Sequence, residues 1–203
     1  MTNKNNRRLN LKRCLLAASI VAVGLLVKPL AASAGSHAEL EKIIEKCAAC
    51  HGVTGSPVSD EYPILGGQQF YYLYVQLKDF KSERRSNPIM KEMVADIDKG
   101  TMKSLAQYYS KQSWPGTAFQ SDPKLRAKGE SAISSGQCIQ CHLGTFEGNS
   151  RVPRLAGQNK KYLTKTMLDF KHKARMNAPA MLSLMESYDD ASIDAVADYL
   201  AGK

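Results

Sequence analysis

Cys138-Ile139-Gln140-Cys141-His142 repeats a pattern met 91 residues earlier, in Cys47-Ala48-Ala49-Cys50-His51. The recurrence extends well beyond the cysteines. Pro63, Leu65, Gly67 and Gln68 return as Pro153, Leu155, Gly157 and Gln158, at an offset of 90. That offset holds for Tyr72/Tyr162, Leu73/Leu163, Asp79/Asp169, Phe80/Phe170, Lys81/Lys171, Arg85/Arg175 and Asn87/Asn177. It returns to 91 for Met90/Met181, Ala106/Ala197 and Tyr108/Tyr199, so each half gains one residue, before Pro63 and before Met181. A match held at one period with loop-sized slips marks a duplicated unit. The first copy covers 35–112 and the second 122–203, joined by a linker at 113–121 that Pro115-Gly116 interrupts. Trp114 and Phe119 give that linker side chains with which to pack against a domain.

Helical periodicity runs through both copies. Leu40, Ile43, Ile44 and Cys47 share one face of a helix predicted over 37–49, with a counterpart over 124–138. Middle helices are predicted over 69–82 and 160–173, and last helices over 99–112 and 192–201. Asp189, Asp190 and Ser192 stand where capping and the helix dipole favour them. No run alternates as a strand does. The chain is therefore expected to be all-α, with three helices and long loops in each copy. Units of roughly 80 residues with few large apolar side chains are marginal alone, so something other than side chains must fill each core.

Charge and composition narrow the function classes. Of 203 residues, 43% are hydrophobic and 23% charged, which fits neither a disordered tail nor a polytopic membrane protein. The formal net charge is +9, but Lys4, Arg7, Arg8, Lys12, Arg13 and Lys28 lie within 1–34, where no acidic residue stands; the remainder carries only +3. A nucleic-acid-binding surface is not indicated. Residues 1–34 read as a cleavable secretory signal peptide: a basic start, an apolar run from Cys14 to Val27, and the small-residue site Ala32-Ser33-Ala34. The run is shorter than the ~20 residues that span a bilayer. Removing the leader removes Cys14 and leaves two C-x-x-C-H motifs in an exported chain.

Four chemistries compete for those cysteines. A disulfide framework suits an exported protein but leaves a histidine unexplained twice. A thioredoxin-like pair expects a βαβ context. A zinc site could gather both pairs, with each histidine idle. Covalent attachment of haem uses every residue: two thiols add to the two vinyl groups, and the adjacent His51 or His142 binds iron. It also supplies the missing core. Two motifs in register favour this reading, with Cys47, Cys50, Cys138 and Cys141 holding two haem c groups.

Electron-transfer haem iron needs a sixth ligand. His37 and His172 have no partner in the other copy and read as surface residues. Met90 lies 43 residues after Cys47, and Met181 lies 43 after Cys138, so these two are assigned. Met93 and Met185 fall out of that register onto apolar positions and read as packing residues; Met102, Met167 and Met176 are read as core or surface. The carbonyls of Pro63 and Pro153, before Leu-x-Gly-Gln, are candidates to accept the imidazole N–H and fix the ring. Arg85 and Arg175 are candidates for the haem propionates or, equally, for a solvated basic face.

These residues resemble the diheme cytochromes c of the cytochrome c4 type. The resemblance rests on Cys47-Ala48-Ala49-Cys50-His51-Gly52, Cys138-Ile139-Gln140-Cys141-His142, both P-x-L-x-G-Q stretches, and the stretches from Asn87 to Met90 and Asn177 to Met181. It covers essentially the whole mature chain. One departure is Leu143, where the first copy has Gly52; another is Asn177-Ala178-Pro179-Ala180-Met181, one residue longer than Asn87-Pro88-Ile89-Met90. The resemblance implies two tandem cytochrome c domains related by a pseudo-twofold axis, with propionate edges facing across the interface. It implies His/Met iron in both, and a periplasmic electron carrier rather than an enzyme. Such a carrier takes electrons from a quinol-oxidising complex or dehydrogenase toward a terminal oxidase, free or peripherally associated with the membrane. Lys78, Lys81, Arg84 and Arg85 are a candidate cluster for docking a redox protein, or else a solvated helix face.

The alternative is a diheme cytochrome subunit of a dehydrogenase, such as a sulfide-oxidising flavocytochrome. A diheme peroxidase would need one iron with an open position, and both copies offer a methionine.

Overall fold

Four helices start at a side-chain cap, Asn87, Asp98, Asp122 or Asp189, whose oxygen accepts a first-turn N–H. A computed structural model describes residues 34–203. The predicted leader, with its apolar run and A-x-A site, lies outside the described residues apart from Ala34. The first half contains α1 (Ala34–His51), α2 (Phe70–Lys81), α3 (Pro88–Val94) and α4 (Lys99–Ser110). The second contains α5 (Pro123–Ser135), α6 (Ile139–His142), α7 (Lys160–Lys171), α8 (Pro179–Glu186) and α9 (Asp190–Ala201). Asp98 caps α4 by accepting from the Thr101 N–H at 2.7 Å, and Asp189 caps α9 by accepting from the Ser192 N–H at 2.6 Å. Among the described residues there is no strand, only two isolated bridges.

Three expectations need correction. The methionine segments are helices in their own right, α3 and α8, because Pro88 and Pro179 preset φ for a first turn. The helix predicted over 124–138 stops at Ser135; Gly136 ends it, Gln137 takes φ 50°, and α6 restarts beyond. The middle helices end at Lys81 and Lys171 because Glu83 and Lys173 adopt left-handed φ of 58° and 60°, their N–H groups returning to Phe80 and Phe170.

Apolar faces meet in one core per half. Ile44, Phe80, Val94, Ile97, Met102 and Leu105 form one cluster of the first half, with Leu73, Ala106 and Tyr109 beside it. The second core joins Ile133, Phe146, Leu163, Met167, Phe170, Met185, Ile193, Val196 and Leu200. Gly129 lets α5 cross close over α9, since a Cβ there would come 2.5 Å from the Ala195 carbonyl oxygen.

The halves are two tandem helical domains, and hydrogen bonds locate their pseudo-twofold axis. Gln68 donates to the Arg154 carbonyl (3.0 Å) and accepts from the Arg154 N–H (2.8 Å). Gln158 does the same to Ile64, at 3.1 and 2.8 Å. Each glutamine thus grips the backbone at the position matching its rival's target. Arg85 bridges Arg175, its own repeat partner, in an antiparallel pair. The axis passes between a residue and its own counterpart when the two pair.

The linker is held tightly. Buried Asp198 accepts from the Ser121 hydroxyl (2.5 Å) and the Asp122 N–H (2.9 Å), while Thr117 donates to the Ala201 carbonyl at 2.9 Å. Trp114 lies against Gly67 and Gly157 and beneath the Arg154 guanidinium, and Phe119 packs on the second core. The two linker aromatics pack as the sequence reading allowed.

Candidate haem sites

In the first half, the last turn of α1 presents Cys47, Cys50 and His51 together. In the second, Cys138 and α6 present Cys138, Cys141 and His142. Among the described residues no disulfide joins the four motif cysteines. Burial raises the Cys47 and Cys138 thiols above their ordinary range. Among the described residues, no group of three or more His, Cys, Asp or Glu gathers as a metal cage, so the zinc alternative loses its geometry.

Both histidines are 8% exposed, and each is oriented by the proline carbonyl singled out from the repeat. His51 Nδ1 lies 3.2 Å from the Pro63 oxygen, and His142 Nδ1 lies 2.9 Å from the Pro153 oxygen. Only a protonated Nδ1 can donate there, so Nε2 keeps its lone pair. Burial pushes both imidazoles toward the neutral form, against the carbonyl's opposing pull. A neutral imidazole with Nδ1 tied and Nε2 free is the form that binds iron.

The loops after the histidines agree despite a sequence departure. Gly52 takes φ 72°, and a Cβ there would sit 1.9 Å from the Ser56 carbonyl oxygen. Leu143 takes φ 68° at the same place, with ψ 170°, a region that side chains rarely enter.

The methionines divide by burial. Met102, Met167 and Met185 are 2%, 7% and 2% exposed, spent in the cores, and Met176 is exposed. Met90 and Met181 are half-buried and lie in the first turns of α3 and α8. Met90 packs on the first core, and Met181 flanks the same second core as Cys138. Met93 is half-buried but joins none of the clusters, so its predicted packing role is only partly met. His37 and His172 are exposed, as read.

Arg85 and Arg175 are not a solvated basic face. Arg175 is 5% exposed and Arg85 half-buried, each stacked on a phenylalanine, Phe80 or Phe170, at 4.6 and 4.5 Å. Arg85 donates to Gln76 Oε1 and the Tyr162 hydroxyl, both at 2.9 Å. Arg175 donates to Gln76 Oε1 at 3.0 Å, Asn177 Oδ1 at 2.9 Å and the Tyr72 hydroxyl at 3.4 Å. No carboxylate is among these acceptors: the two guanidiniums rest on amide and phenol oxygens at the domain interface. Burial opposes ionisation of Tyr162, yet the two guanidiniums outweigh it and bring the phenol down to about 7. An interface with two such guanidiniums fits a group bearing carboxylates, as haem does. Of the residues read as a docking cluster, Arg85 is drawn into the interface, while Arg84, paired with Asp79 at 2.7 Å, and Lys81, donating to the Ile97 carbonyl at 2.7 Å, remain exposed.

The sequence reading missed the polar network of Gln76, Asp79 and Asn177 at this interface. Retention of Tyr72/Tyr162, Asp79/Asp169, Arg85/Arg175 and Asn87/Asn177 in both copies, at positions outside the apolar pattern, was its trace.

No family model matches the chain. Cytochrome c4 of Thiocapsa roseopersicina is 34% identical over 168 residues, covering 77% of this chain and 86% of that protein. The chain belongs to the cytochrome c4 family. The crystal structure of reduced recombinant cytochrome c4 from Pseudomonas stutzeri superposes with a TM-score of 0.73 at 28% identity, over 84% of this chain and 99% of that one. A thiosulfate dehydrogenase electron acceptor of Stutzerimonas stutzeri is 28% identical over 169 residues, 76% of this chain and 77% of that protein. As a cytochrome c4, the chain is a diheme electron-transfer protein and not an enzyme. It carries two covalently attached haem c groups, and its two C-x-x-C-H motifs fit that attachment. Among the described residues, no helix is long and apolar enough to cross a membrane.

Proposed function

We propose that this cytochrome c4 carries electrons in the periplasm between respiratory partners, from a quinol-oxidising complex or dehydrogenase toward a terminal oxidase. The observation that carries the site assignment is the paired tether, His51 to Pro63 and His142 to Pro153. Cys47 and Cys50 hold the first haem and Cys138 and Cys141 the second, with His51 and His142 as proximal ligands. Met90 and Met181 complete each iron. Bound haem would supply a one-electron couple, and methionine beside histidine as iron ligand would raise its potential. With a histidine and a methionine given to each iron, the chain would leave no position for substrate, and its residues would act by holding the ligands still. Arg85 and Arg175, which bond to no carboxylate of the chain, would receive propionate carboxylates at the interface. The domains are 35–112 and 122–203, joined by 113–121, and residues 1–34 are a signal peptide removed on export.

The similarity to a thiosulfate dehydrogenase electron acceptor favours one second reading, a carrier dedicated to a dehydrogenase in sulfur-compound oxidation. Two measurements test these readings. Mass spectrometry of the exported protein should give a chain starting near Gly35 plus two haems; a chain retaining Cys14, or carrying one haem, refutes the site and export assignment. Reduction kinetics with membranes supplied with quinol, against a purified thiosulfate-oxidising dehydrogenase, separate the two partner readings.

A further inference from the structure

The two methionine loops are held by different means, and the difference crosses the domain interface. In the first loop Asn87 turns back on itself: its Oδ1 accepts from the Met90 N–H at 2.9 Å and caps α3. In the second, the extra residue between Asn177 and Met181 moves the cap to Ala178, which has no side-chain acceptor. The Met181 N–H bonds instead to the Ala178 carbonyl at 3.0 Å. Asn177 is thereby released from capping. Its Nδ2 reaches across to α2, donating to Asp79 Oδ2 at 2.7 Å and Gln76 Oε1 at 3.0 Å. Asp79 is 2% exposed and belongs to the first domain. Nothing mirrors this bond: Asp169, the counterpart of Asp79, pairs with Lys165 on its own helix.

We propose that Asp79 and Gln76 of the first domain are positioning residues for the axial methionine of the second, acting through Asn177. The Met90 loop is anchored within its own domain, whereas the Met181 loop is anchored to its neighbour. The seating of Met181 on iron, and through it the second potential, then depends on this contact between domains, whereas the seating of Met90 does not. This rests on the assignment of Met181 as a ligand.

The experiment uses the haem-loaded protein and reads two midpoint potentials together with the thioether–iron absorption band. Met181→His, which lowers one potential, identifies the second haem. Asn177→Ala, which changes no charge, should shift the ferrous-to-ferric ratio of that haem at fixed applied potential by about fivefold or more, within the usual span of inter-site coupling. Asp79→Ala should move the same haem although it lies in the other domain, and Asp169→Ala should move neither. Asp79→Asn keeps an acceptor for Asn177 while removing the charge, so it should restore the native value. If the shift persists in Asp79→Asn, simple loss of a buried charge explains it and the positioning role is overturned. No shift in Asn177→Ala, or an equal shift in both haems, also overturns it, and this variant remains informative should Asp79→Ala fail to fold. Met181→Ala separates the two ideas. If both thioether bands survive it, the ligand assignment has failed; if one is lost while Asn177→Ala has no effect, only the coupling has failed.

Discussion

The reciprocal glutamine clamps permit a comparison in which most confounding terms cancel. Gln68 and Gln158 occupy matched positions, and each also accepts from the following backbone N–H, at 2.9 and 3.0 Å. Substituting either with alanine therefore removes the same local bond and the same side chain. What differs is the target across the interface. Gln158 serves the N–H and carbonyl of Ile64, which is 1% exposed; Gln68 serves those of Arg154, which is half-buried. In Gln158→Ala both Ile64 groups stay buried without partners, at roughly 1–3 kcal/mol each. In Gln68→Ala water can replace the lost partner at Arg154, so the cost falls to about 1–2 kcal/mol. Gln158→Ala should then destabilise the haem-loaded protein by roughly 2–6 kcal/mol, lowering the thermal midpoint by roughly 4–24 °C. Denaturant titration followed by far-ultraviolet circular dichroism measures both variants, read as a change in midpoint at constant slope. Equal losses, or a larger loss in Gln68→Ala, would refute the argument that burial of the target backbone sets the cost.

The remaining predictions concern the ligand loops and core. Leu143→Gly should raise stability by about 1 kcal/mol, since it relieves a conformation costing ~1–3 kcal/mol against the entropy cost of glycine; unfolding curves check it. Gly52→Ala should instead disrupt the first site, because its Cβ would meet the Ser56 carbonyl oxygen at 1.9 Å, and mass spectrometry should show loss of one haem. Met181→Ala should remove the thioether–iron band of one haem and open that iron to carbon monoxide, leaving the other band intact. Met185→Ala, at a site 2% exposed, should cost about 2–5 kcal/mol in packing yet keep both bands.

Spacing along the chain determined much of this protein. Attachment needs two thiols and a histidine within five residues, so C-x-x-C-H is complete in one dimension. The repeat register then singled out Pro63 and Pro153, whose carbonyls stand at the imidazoles, and separated Met181 from the buried Met185. Helix identity followed from apolar periodicity, though the short helices at the methionines escaped it, being too brief to show a period. Tertiary structure alone decided the interface. Gln158 meets Ile64 and Asn177 meets Asp79 across 94 and 98 residues, contacts set by how two domains dock and not by any local pattern. It also decided which copy of a repeated asparagine caps its own loop and which crosses over. One inserted residue moves the cap by a position, and the side chain it releases takes the acceptor that docking has placed within reach.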